Sequence, residues 1–68
     1  MKFEYLSNTE LSALVDDWVK SQRDRQVMKR KLIDGITYER IAEEQELSVK
    51  QVYRIVSKWS RLLAEKII

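Results

Sequence analysis

Lys50, Arg54 and Ser57, with Arg61 a turn further on, are spaced so that a helix would carry all four on one side. At about 100° per residue they fall roughly 140–200° around the wheel from Val52. Val52, Ile55, Val56 and Trp59 take the opposite side, and Gln51, Tyr53 and Lys58 flank the polar stripe. The chemistry of such a surface is donation of hydrogen bonds to acceptors. Lysine and arginine donate to guanine O6 and N7, and glutamine pairs with adenine through its amide. Bond-making chemistry is not offered: the chain has no histidine and no cysteine, so the commonest general base, the thiolate nucleophile and the usual zinc ligands are missing. No paired-carboxylate pocket or glycine-rich loop is suggested, so no enzyme, cofactor or metal site is expected.

Two capped helices are needed to hold that stripe in place. Thr37 can cap a first helix whose apolar residues are Ile41 and Ala42, and Ser48 can cap a second with Gln51 completing a capping box. Only Gln45-Glu46-Leu47 separates them, which forces a tight corner. This is the pattern of a helix-turn-helix over about residues 37–58, in which the second helix is offered to the major groove. The free amides at both helix starts add phosphate contacts. The expected DNA-binding residues are therefore Thr37, Tyr38, Ser48, Lys50, Gln51, Tyr53, Arg54, Ser57 and Lys58 on double-stranded DNA. Plainer readings exist for several of them. A basic stripe is ordinarily a solvated face, Gln51 is divided between capping and base contact, and Tyr38 and Tyr53 serve equally as packing residues with a wet hydroxyl.

The remainder of the chain marks further helices. Sixty-eight residues with one glycine and no proline read as a single all-α domain of three to four helices, ending in a long C-terminal helix. Ser7 and Glu10 form a capping box, Leu6 and Leu11 a hydrophobic staple, and Leu11, Leu14, Val15 and Trp18 a stripe reaching roughly Lys20. Ahead of it Met1–Leu6 alternates like an extended arm, with Phe3 and Tyr5 on one side and Lys2 and Glu4 on the other. Residues 8–34 form either one helix or two; Ser21 with Asp24 favours a restart. Val27, Met28, Leu32 and Ile33 then anchor a helix that stops at Gly35, placed for a left-handed end. Trp18 and Trp59, both on apolar stripes, are expected in the core.

Net charge is only +2, but residues 20–34 and 48–68 each carry +4 against −3 for each of 1–19 and 35–47. The first positive block wraps its helix and is expected to lean toward DNA backbone. Glu43, Glu44 and Glu46 form an acidic edge suited to a protein partner such as RNA polymerase. No run approaches the ~20 apolar residues of a membrane span or the core of a signal peptide, so a cytoplasmic protein without membrane contact is expected. The stripe through Leu62, Leu63 and Ile67 leaves room for a homodimer, or covers the first helix and the arm.

The segments DGITYERIAE and LSVKQV, with Arg25-Gln26-Val27-Met28 before them, resemble the helix-turn-helix of sigma-factor region four and its small phage and mobile-element relatives. The resemblance spans roughly residues 11–63. It implies that the second helix enters the major groove, with Ser48, Lys50, Gln51, Arg54 and Lys58 at the DNA. Relatives often carry glycine where this chain has Glu46, which costs about 1 kcal/mol if the backbone there is left-handed. A complete sigma factor also needs a promoter-melting domain, for which these residues leave no room. The expected function is sequence-specific DNA binding by a transcriptional regulator of phage or mobile-element type. The alternative is a protein-interaction module that binds polymerase or another regulator through the acidic edge or the C-terminal helix.

Overall fold

The structure, a computed structural model, describes residues 2–67. A 3₁₀ turn over Lys2–Tyr5 leads into four α-helices: α1 Asn8–Trp18, α2 Gln22–Leu32, α3 Tyr38–Gln45 and α4 Val49–Ile67. No strand occurs among the described residues. The all-α architecture with a long final helix is therefore as the composition predicts.

Local chemistry explains each boundary. Ser7 Oγ accepts from the Glu10 amide at 3.1 Å while Glu10 Oε1 accepts from the Ser7 amide at 3.0 Å, the reciprocal box that starts α1. The Glu10 carboxyl is held below its ordinary range by the Ser7 backbone bond first and the hydroxyl bond second. After Trp18 the chain turns extended at Val19, so the first helix ends two residues before Lys20 and residues 8–34 form two helices. Ser21 accepts from the Asp24 amide at 3.3 Å and opens α2. Gly35, at φ +68°, lets the chain leave α2, and the Ile36 amide bonds back to the Arg30 carbonyl at 3.0 Å. That bond reaches one residue farther back than the 6→1 bond of a Schellman end, and the left-handed backbone of Gly35 provides the reversal it needs.

α4 is the spine of the domain: α1, α2, α3 and the 3₁₀ turn all pack against it. Val15, Val19, Val27, Met28, Ile41, Val52 and Leu63 are fully buried at the centre. Leu62 and Ile67 are half-buried against the same core, so the chain itself accounts for much of the length of the apolar stripe.

Two expectations are corrected. The N-terminal arm is helical, with Phe3 buried and Tyr5 at 89% exposure, because a 3₁₀ turn does not keep alternate residues on one side as a strand does. Met1 and the side chains of Lys2 and Glu4 lie outside the described residues. Trp18 is exposed, and Val19 takes the core position instead. The stripe of α1 is centred on Leu11, Val15 and Val19, which leaves Trp18 at its edge, where the Lys66 ammonium lies 4.4 Å from the ring centre. Trp59, by contrast, is buried as expected.

Candidate nucleic-acid interface

The corner between α3 and α4 is closed by backbone bonds on one side and a cap on the other. Thr37 is extended and its Oγ1 accepts from the Arg40 amide at 3.2 Å, which starts α3. α3 ends at Glu46, whose backbone is left-handed at φ 56°, and the Leu47 amide bonds to the Ala42 carbonyl at 2.9 Å. Leu47 then tucks against the core, as does Ile36 at the other end of α3. Ser48 Oγ accepts from the Gln51 amide at 3.1 Å and Gln51 Oε1 accepts from the Ser48 amide at 2.9 Å. Buried Ile41 and Ala42 from α3 and Val52 and Val56 from α4 complete the joint. The small Ala42 side chain lets the two helices approach closely.

This cap decides what each polar residue has left to give. Thr37 and Ser48 use their oxygens as acceptors, and each hydroxyl hydrogen remains free to donate. Gln51 has its carbonyl oxygen engaged by Ser48, so it can donate from its NH2 group but cannot pair bidentately with adenine without breaking the cap. Capping and base reading are therefore in competition at that residue.

Lys50, Gln51, Tyr53, Arg54, Lys58 and Arg61 are all exposed on α4. Lys50, Arg54 and Lys58 stand four residues apart in one row, and no ion pair among the described residues includes any of them. The Lys58 ammonium lies back over the Trp59 ring, 4.8 Å from its centre. Ser57 departs from the outward position given by the wheel: it is half-buried and lines a groove shared with Phe3 and Val56. The 3₁₀ turn packs beside α4 and covers that side. Tyr38 and Tyr53 come together, ring centres 5.6 Å apart and tilted by 59°. Tyr38 is half-buried against the core while Tyr53 stays 57% exposed. The Lys31 ammonium sits 4.2 Å from the Tyr38 ring centre.

The other basic block behaves differently, because the cations of α2 are engaged within the fold. Arg25 Nε donates to the Val19 carbonyl at 2.6 Å and Lys31 Nζ to the Ile36 carbonyl at 3.2 Å. Lys29 pairs with Asp16 at 2.7 Å. Arg30 grips Glu44 through two bonds, at 3.0 and 2.6 Å, and reaches Asp34 at 3.0 Å. Its guanidinium is raised further above its ordinary range, by Glu44 first and Asp34 second, and the Glu44 carboxyl is lowered by the same bond. Glu44 is thus turned back from the acidic edge to bind α2, while Glu43 and Glu46 enter no ion pair among the described residues.

Two groups escaped sequence reasoning. Asp24 is buried, its Oδ2 accepting from Trp59 Nε1 at 2.8 Å and its Oδ1 bound by Arg23 Nε at 3.2 Å. The local signal, a residue three beyond a serine cap, marks the start of α2 and says nothing of the partner across the fold. Lys31 lay in a scattered basic run, and only the turn at Gly35 brings Tyr38 beneath it.

Among the described residues no cluster of acidic side chains is arranged to hold a metal ion, and no helix is long and apolar enough to cross a membrane. Compared with protein families, characterised proteins and solved structures, the chain matches none of them.

Proposed function

We propose that the chain binds double-stranded DNA sequence-specifically, with α4 as the reading helix, and acts as a transcriptional regulator of the phage or mobile-element type that its sequence resembles. The observation carrying this reading is the exposed row Lys50, Arg54 and Lys58 on a helix held by a three-residue corner. Like charges four apart on a helix repel each other by a few tenths of a kcal/mol per pair. A row of them with no acidic partner among the described residues is suited to an external polyanion. Lys50 and Arg54 read base edges, Lys58 and the caps at Thr37 and Ser48 meet phosphate, and Tyr38 and Tyr53 support the joint beside them.

Duplexes selected from a random pool, followed by titration at several salt concentrations, test this. Affinity is expected to fall linearly on logarithmic axes as salt rises. Arg54→Ala or Lys50→Ala is expected to cost about 1–3 kcal/mol of binding and to relax the preferred site. A protein without salt-dependent DNA affinity would rule the reading out.

A second reading keeps one specific support. Glu43 and Glu46 project at the end of α3 without ion-pair partners among the described residues, an acidic edge that a basic surface on polymerase or another regulator can meet. Retention of polymerase by the protein in the absence of DNA, lost in Glu43→Lys, distinguishes it.

A further inference from the structure

An open groove of about 620 Å³ is bounded by the 3₁₀ turn and the start of α1, the end of α2, the first residue of α3 and one flank of α4. Its floor is apolar, formed by Phe3, Leu11, Leu32 and Val56, and Tyr38 and Tyr53 stand at its edge. Lys31 is the one charged side chain among the described residues that line it. Its ammonium is fixed at two points, 3.2 Å from the Ile36 carbonyl and 4.2 Å from the Tyr38 ring centre. An ammonium carries three hydrogens, so one donor remains after the carbonyl and the ring are served.

We propose that this groove binds a small amphipathic carboxylate, with the carboxylate on Lys31 and the hydrocarbon or aromatic body over the apolar floor. The volume is that of a site for a small organic ligand, and such sites are mainly apolar with few polar groups fixing orientation. Charge complementarity selects the head group: a half-buried cation faces the groove and no described lining residue is acidic. Tyr38 and Tyr53, which support the joint beside the cationic row of α4, also line the groove. An occupant therefore touches the side chains that brace the proposed reading helix, and the two ligands are coupled; this coupling rests on the DNA reading, whereas binding to the groove does not.

The test is calorimetric titration of the full chain with decanoate, decanol and acetate, each below micelle formation. Decanoate binds saturably, decanol about tenfold more weakly because it lacks the charge-assisted bond, and acetate shows no saturation. Lys31→Met reduces decanoate to the level of decanol. Ser60→Trp, which fills the groove from α4 without altering Lys31, removes binding of both while helical circular dichroism and melting are retained. Equal affinity for decanoate and decanol, no saturable decanoate binding, or full binding by a folded Ser60→Trp protein overturns the proposal. A protein that binds decanoate through Lys31 but has no DNA affinity leaves the groove standing and removes the DNA reading. Where both hold, decanoate lowers DNA affinity in the wild type and not in Ser60→Trp.

Discussion

Two left-handed residues frame the α3 region, and only one is glycine: Gly35 at φ +68° and Glu46 at φ 56°. An L-residue held there is strained by about 1–2 kcal/mol because Cβ crowds the following carbonyl. Replacing Glu46 by glycine removes that strain but adds unfolded-state freedom worth about 0.5–1 kcal/mol. Glu46→Gly is therefore expected to stabilise the domain by about 0.5–1 kcal/mol. Gly35→Ala supplies the converse. A Cβ built there meets nothing within 4 Å, so the cost is backbone strain without collision, again about 0.5–1 kcal/mol net after the entropic gain of about 0.4–1 kcal/mol. For a domain of this size each kcal/mol moves the melting midpoint by roughly 4–8 °C. Thermal melts followed at 222 nm, with urea titrations to check that the slope is unchanged, measure both. A lower midpoint for Glu46→Gly, or no change for Gly35→Ala, would refute the assignment of strain to the corner.

Further expectations concern the groups that hold the helices together. Trp59→Phe leaves the buried Asp24 carboxylate short of its 2.8 Å donor and should cost about 1–3 kcal/mol; Asp24→Asn keeps an acceptor there and should cost less, with urea unfolding by circular dichroism as the measure. If both changes are neutral, the pair is not a constraint. Acid should weaken the domain through Glu10 and Glu44, both lowered from an ordinary value of 4.5. A lowered carboxylate contributes stability that is present above its unfolded value and is lost as pH falls through the folded one. Glu44→Gln should therefore reduce the acid-side loss seen in melts taken downward from pH 5, and an unchanged acid profile would show that the Arg30 bond is not responsible.

Local chemistry made most of this fold legible. Ser7, Ser21, Thr37 and Ser48 each mark a helix start, and in each the hydroxyl accepts the bond that its sequence position predicts. Such caps involve neighbours three residues apart, so the chain order alone contains them. The misplacement of Trp18 and the unforeseen burial of Asp24 have another origin. Leu14 and Trp18 share a stripe as well as Leu11, Val15 and Val19 do, and the choice between them depends on how α4 lies across α1. Asp24 reaches Trp59 across a separation of 35 residues, which no local pattern encodes. The outward positions of Lys50 and Arg54 followed from periodicity, whereas Ser57 was misplaced because the 3₁₀ turn beside it could not be anticipated.

The two basic blocks, equal in net charge, are separated by what lies within reach of them. α2 is surrounded by acceptors: Asp16 comes from α1, Asp34 from its own end, Glu44 from α3 and carbonyl oxygens from the chain before and after it. Its cations therefore act as struts that tie three helices together. α4 carries five cations and a single acidic residue, Glu65, over its length, and Lys50, Arg54 and Lys58 follow one another at a spacing that makes like charges neighbours. A helix needed only for solubility could alternate signs along that row and gain stability from each pair. Keeping three cations in line lowers the stability of the free domain and is offset when an anion lies along them. Added polyanion is accordingly expected to raise the melting midpoint of the wild type, and to do so much less after Arg54→Glu, which interrupts the row at its centre and leaves the α2 struts intact.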